Sequence, residues 1–200
     1  MSLPPDLLQL EDEELLRLAL TARDGDLRAF EQLVLRHQNR MVANCRYLTR
    51  EQDNAEDLAQ EVFVKAYFGL PGFESRSSFR HWVQRIKVNH CLNHMKKQQS
   101  RGYSVGLDEE GTERHAELHV APAAEAELES EMVRRKVEAI LNAMPATLRV
   151  PLIMRDMDDL SYEDIATSLG VGLSAVKMRI RRAREQFRSL YEAVEGRSNR

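Results

Sequence analysis

The segment "LSYEDIATSLGVGLSAVKMRIRRARE", Leu160–Glu185, constrains the fold more tightly than any other part of the chain. Ser161 and Asp164 have the Ser-x-x-Asp spacing that caps a helix start, where side-chain oxygens take up orphan backbone N–H groups. Ile165, Ala166 and Leu169 follow at three- and four-residue intervals, so one face of a short helix turns inward. Gly170 ends that helix, and Val171 and Gly172 form the turn. Ser174 is placed to cap a second helix, whose inward stripe is Val176, Ile180, Ala183 and Phe187. Two helices joined by so short a turn pack directly on one another.

Strand signals are nearly absent elsewhere, and the helical period recurs. From Asp24, apolar residues fall at Leu27, Phe30, Val34, Met41, Cys45 and Leu48, with one turn skipped at His37, which predicts one buried stripe. A second helix has Ala55, Leu58, Ala59, Val62, Phe63 and Ala66 on one face, with Asp53 as its N-cap and Glu56 as capping-box partner. The run "GLPGFESRSS" breaks helicity at Gly69, Pro71 and Gly72. A third helix starts near Ser78 with Phe79, Trp82, Val83 and Ile86, then Cys91, Leu92 and Met95. Residues 98–130 lack sustained periodicity and read as an acidic, flexible linker. Helical patterning returns with Val133, Val137, Ile140, Leu141 and Met144, and Pro145 ends that helix or opens a turn. If the next helix starts near Thr147, Pro151 lies at the edge of its first turn, where a missing N–H matters least. The expected fold is all-α. Two small helical domains, 1–97 and 131–200, are joined by the linker.

Charge gives these domains a purpose. The net charge is only -3, but its distribution is uneven. No carboxylate occurs between Glu74 and Asp108, while Arg76, Arg80, Arg85, Lys87, Lys96, Lys97 and Arg101 all fall there. Asp108 to Glu131 then carries nine acidic residues against the single Arg114. The helix after Gly172 forms a second basic zone with Lys177, Arg179, Arg181, Arg182 and Arg184. Two basic zones separated by an acidic spacer fit two contacts with one polyanion. A helix, a glycine turn and a basic helix form the helix-turn-helix arrangement, whose second helix enters the DNA major groove. Lys177 and Arg181 are placed for base edges or phosphates, and Arg182, Arg184 and Arg188 for phosphates.

Two stretches now identify a family. "DNAEDLAQEVFVKAY" (Asp53–Tyr67), followed by "FRHWVQRIKVNHCLNHMKK" (Phe79–Lys97), closely resembles the σ2 domain of bacterial extracytoplasmic-function (ECF) sigma factors, group 4 of the sigma-70 family. The opening segment is similar to their σ4 domain, and the two stand in the family's order. The resemblance implies that Asp57, Gln60, Glu61 and Lys65 dock on the clamp helices of the RNA polymerase β′ subunit. It implies that Phe73, Ser75, Arg76, Ser78, Arg80, Arg85, Asn89 and Asn93 bind and melt the −10 element. Ser174, Lys177, Met178, Arg179, Arg181, Arg182 and Arg184 would meet the −35 element. Phe79 and Trp82 fit core packing better than base stacking. Met178 and Ala175 depart from the serine and threonine frequent at those positions, which removes two hydroxyls from the recognition helix. The family's partners are core polymerase (β′ clamp helices and β flap), promoter DNA and an anti-sigma factor. The acidic linker, with Glu109, Glu110 and Glu113, would thread toward the RNA exit path.

Other classes fit less well. His90 and His94 share a helix face, but no third or fourth metal ligand follows at a fitting spacing. There is no P-loop and no nucleophile elbow. No catalysis, cofactor, metal or small-molecule substrate is expected. No apolar run approaches the roughly 20 residues that span a bilayer. Cys45 and Cys91, the only cysteines, read as free buried thiols in a reducing cytoplasm. A stand-alone helix-turn-helix regulator is the rival reading. Such a regulator has no need of a carboxylate-bearing helix followed by a basic one.

Overall fold

The computed structural model describes residues 7–23, 25–73, 78–100 and 125–198. They contain eight α-helices and no strand. The chain divides into two compact units, Met1–His94 and Met95–Arg200.

The first unit holds α1 (Asp12–Thr21), α2 (Arg28–Thr49), α3 (Ala55–Gly69) and most of α4 (Phe79–Ser100). Helix α1 is absent from the sequence reading, because its patterning amounts to two adjacent buried leucines, Leu15 and Leu16. Its start is stabilised when the Glu14 carboxylate accepts from the Glu11 backbone N–H. Asp12 ties it to α2, with Oδ2 2.7 Å from His37 Nε2 and Oδ1 3.1 Å from Arg36 Nη1.

The expected stripe on α2 is shifted. Leu33 is fully buried, Val34 only half-buried and Leu27 exposed. Reading the run in steps of four misses the Phe30–Leu33 step of three. On α3 the expected stripe from Ala55 to Ala66 is buried throughout. Its N-cap is Asn54 rather than Asp53, in right-handed backbone and without a side-chain cap bond. The Asn54 amide instead donates to Glu51 Oε2 at 2.9 Å.

At the other end of α3, a Cβ on Gly69 would stand 3.2 Å from the Trp82 ring. Gly69 therefore lets α4 approach closely. Phe73, Phe79 and Trp82 form an aromatic cluster there, Phe73 meeting Trp82 edge-on at 5.1 Å between centroids. Phe79 is buried while Trp82 and Ile86 are half-buried. Cys45 on α2 and Cys91 on α4 are buried free thiols with sulfurs 3.7 Å apart.

The second unit contains α5 (Glu125–Ala143), α6 (Ala146–Leu152), α7 (Tyr162–Leu169) and α8 (Leu173–Ser198). Helix α8 packs on α5, α6 and α7. Ile140, Leu141, Met144, Val150, Ile153, Met154, Ile165, Val176, Ile180 and Ala183 form the core. Helices α4 and α5 encroach on the expected linker, reaching Ser100 and starting at Glu125.

Pro145 follows the end of α5 and is the N-cap of α6, which starts at Ala146, one residue before the expected Thr147. Pro151 lies deeper than expected, inside the helix and past its first turn. A π turn, Ile153–Met157, follows at once. There the Asp158 N–H donates to the Ile153 carbonyl five residues back at 3.1 Å. Proline removes a backbone donor, and the wider winding begins two residues beyond it.

Candidate nucleic-acid interface

The α7–α8 corner is built as its sequence dictates. Ser161 Oγ accepts from the Asp164 N–H at 3.0 Å and donates to Asp164 Oδ2 at 2.8 Å. Gly170 takes the left-handed conformation, φ 66°, which disfavours any side chain with a Cβ. Its N–H donates to Thr167 and that of Val171 to Ala166, satisfying the last carbonyls of α7 in a Schellman motif.

Helix α8 starts at Leu173, so Ser174 lies within its first turn and does not cap it. Lys177, Met178, Arg181 and Arg182 are exposed there, and Arg179 is half-buried. Arg181 also pairs with Glu185 one turn on, at 3.0 Å. Arg184 departs from the expectation of a freely presented cation. Its guanidinium grips Asp156 on the π turn with two nitrogens, Nε at 2.9 Å from Oδ2. Phe187 is half-buried.

Helix α4 presents a polar strip. Arg85, Asn89 and Asn93 fall four apart and are all exposed. Ser78 precedes the helix, where its Oγ accepts from the His81 N–H at 3.3 Å. Arg80 is half-buried, and Lys87, one cation of the carboxylate-free block, is 0% exposed. Phe73 is half-buried against Trp82, so only part of its ring is open to a base. Ser75 and Arg76, with Tyr103, Val105, Leu107 and the linker acids, lie outside the described residues.

Helix α3 carries a third face. Asp57, Gln60, Glu61 and Lys65 are all exposed. The sequence reading missed what continues that stripe: Val64, 55% exposed, and Phe68, 76% exposed. Both follow Gln60 and Glu61 at helical spacing, and outward apolar residues in line with charged ones were the available signal. From α4, His90 reaches this face, with Nε2 3.1 Å from Glu61 Oε2 and Nδ1 in contact with Lys65 Nζ. His94 turns to Glu51 instead, at 3.0 Å. The two histidines thus have different carboxylate partners, and no cluster fit to hold a metal occurs among the described residues.

These faces coincide with known modules. The sigma-70 region 2 family matches residues 33–101, and sigma-70 region 4 matches residues 134–187. The chain is 34% identical to the RNA polymerase sigma-H factor of Pseudomonas aeruginosa, over 90% of this chain and 93% of that protein. It is 34% identical to the ECF RNA polymerase sigma-E factor of Escherichia coli K12, over 88% and 92%.

The chain belongs to the ECF sigma factors of the sigma-70 family.

A solved structure of the sigma factor RpoE with the anti-sigma factor NepR from Bartonella quintana aligns with a TM-score of 0.60. It is 26% identical and covers 82% of this chain and 98% of that one. The fold of CnrH, solved with the cytosolic domain of CnrY, is also shared, at a TM-score of 0.58 and 23% identity over 91% of this chain and 97% of that one. In this sigma factor the region 2 match takes in the α3 face and the α4 strip, and the region 4 match takes in the α7–α8 corner. Among the described residues, no helix is long and apolar enough to cross a membrane.

Proposed function

We propose that this sigma factor binds core RNA polymerase through α3, opens the −10 element along α4 and reads the −35 element with α8. The observation that carries the reading is the separation of chemistries on three helices. A carboxylate-bearing face on α3, a carboxylate-free polar strip on α4 and an exposed basic turn on α8 serve three different partners. Asp57 and Glu61 pair with cations of the β′ clamp helices, while Gln60 and Lys65 fix register. Ser78, Arg80, Arg85, Asn89 and Asn93, with Ser75 and Arg76, hold the melted strand, where polar groups offset the few kcal/mol of unstacking. Phe73 offers an exposed edge to a flipped base.

On α8, Ser174, Lys177, Met178 and Arg181 face base edges. Arg179 and Arg182 fix position on phosphates, and Arg184 reaches DNA only by releasing Asp156. An apolar cleft of about 590 Å³, lined by Val137, Leu141, Ile153, Phe187 and Tyr191, suits the polymerase flap. The division of labour sets a polymerase- and −10-binding domain ending with α4 at Ser100 and a −35-binding domain starting with α5 at Glu125, which leaves a narrower linker than the limits 1–97 and 131–200.

The polymerase performs all the chemistry; the sigma factor is not an enzyme and acts in the cytoplasm with its polymerase. The fold shared with RpoE, which was solved with NepR, supports control by an anti-sigma factor, and we assign that control to a stress or envelope regulon. In vitro transcription with core polymerase on genomic fragments, with start sites mapped, tests the reading. Folded protein that directs no specific start would overturn it.

A further inference from the structure

One buried group at the α3 face belongs to neither its core nor its surface. His90 projects from α4 beneath Glu61 and Lys65, with its side chain 12% exposed. An ammonium only donates, so Lys65 Nζ against Nδ1 makes that nitrogen the acceptor and puts the ring proton on Nε2. Nε2 is buried without a well-aligned hydrogen bond, although Glu61 Oε2 stands 3.1 Å away. A neutral imidazole therefore sits between a cation and an anion that both lie on the docking face.

We propose that His90 is a positioning residue for polymerase docking, holding Lys65 through Nδ1 and facing Glu61 through Nε2 while neutral, and expelling Lys65 while drawing Glu61 inward when protonated. The inference rests on the assignment of the α3 face to core polymerase. A proton on Nδ1 takes away the acceptor for Lys65 and sets two cations against each other. It also gives Glu61 a buried cation to turn toward, in competition with the polymerase. The charged and titratable groups facing the ring are Glu61 and Lys65 from α3 and His94 from its own helix. His94 is in turn engaged by Glu51. Burial lowers the tendency of His90 to protonate below that of an ordinary histidine, Lys65 adds to this, Glu61 opposes it and His94 lowers it further. The bridge is thus intact near neutrality and opens in acid.

The test measures the affinity of the full-length protein for core RNA polymerase at about pH 8 and about pH 5.5, a range that brackets histidine titration. H90Q is the key comparison, since glutamine can accept from Lys65 and donate to Glu61 without titrating. From the higher to the lower pH, wild type should lose about fivefold in affinity relative to H90Q, the scale of one surface ion pair. H90L should bind about fivefold more weakly than H90Q at the higher pH, where glutamine rescues the bridge. Parallel pH curves for wild type and H90Q would overturn the proposal, whether or not H90L folds. D57K separates the two levels. If D57K abolishes core binding and the curves still run parallel, His90 alone has been misread. If D57K binds core polymerase normally, the docking assignment fails and the His90 proposal fails with it.

Discussion

Helices α4 and α8 are both long and rich in cations, yet they dispose of those cations in opposite ways. Helix α4 buries Phe79, Val83, Gln84, Lys87, Val88, Cys91, Leu92 and Met95, a broad face that runs along most of its length. Lys87 is withdrawn from solvent altogether, and the outward positions mix the amides Asn89, Asn93 and Gln99 with Arg85 and, near the end of the helix, Lys96 and Lys97. Among its described side chains helix α8 fully buries only Val176, Ile180 and Ala183, and Lys177, Arg181, Arg182 and Arg188 stay exposed. A helix rich in cations binds a polyanion with those left after burial and pairing. By that measure we assign phosphate binding mainly to α8, and read α4 as a scaffold whose polar edge would suit bases pulled from the stack.

The contrast can be broken at several points, beginning with the largest effect. Phe79→Ala should destabilise the protein by about 3–5 kcal/mol in chemical denaturation, as for an aromatic in a packed core. If stability hardly changes, the buried face of α4 is not the packed core described. Lys177→Ala should weaken −35 DNA binding by about 1–3 kcal/mol if it touches a base, and Arg182→Ala should lower the salt slope by about 1 if it touches a phosphate. Lys87→Met should leave that slope unchanged; a slope that falls with Lys87 would erase the distinction between the helices.

Ser161→Ala should cost about 1 kcal/mol of thermal stability through the lost cap on α7. Arg184→Ala should cost less than about 1 kcal/mol, as for a solvent-exposed ion pair. It should also change the salt slope less than Arg182→Ala, because Asp156 already holds that guanidinium. The smallest effect is a pH dependence of folding. The folded state resists protonation of His90, so the unfolded chain binds the extra proton as pH drops below the ordinary histidine value of 6.5. Stability contributed by neutral His90 is therefore present above that value and declines as pH falls toward the folded one. An H90Q variant should lack this component in melts taken across the range.

Most helices were legible because their apolar residues recur every three or four positions, and burial follows that rhythm from Ala55 to Ala66 and from Val176 to Ala183. The cap at Ser161 and the left-handed Gly170 were legible because each rests on local backbone chemistry. Three features lay beyond that reach. Helix α1 depends on Asp12 meeting Arg36 and His37, which are distant in sequence. The Arg184–Asp156 pair spans 28 positions, so nothing in the run of arginines marks one as engaged. The α2 stripe erred because a step of three was read as four, which exchanged Leu33 for Val34.

The π turn at Ile153–Met157 has one more consequence. Such a turn is in effect an α-helix holding a supernumerary residue, and that residue advances everything after it by about 100°. Deleting one residue from this stretch would let the backbone relax to ordinary winding while carrying Asp156 around the axis, away from Arg184. The tract therefore acts as a phase setter: its length, as much as its composition, determines whether the anchor for α8 faces α8.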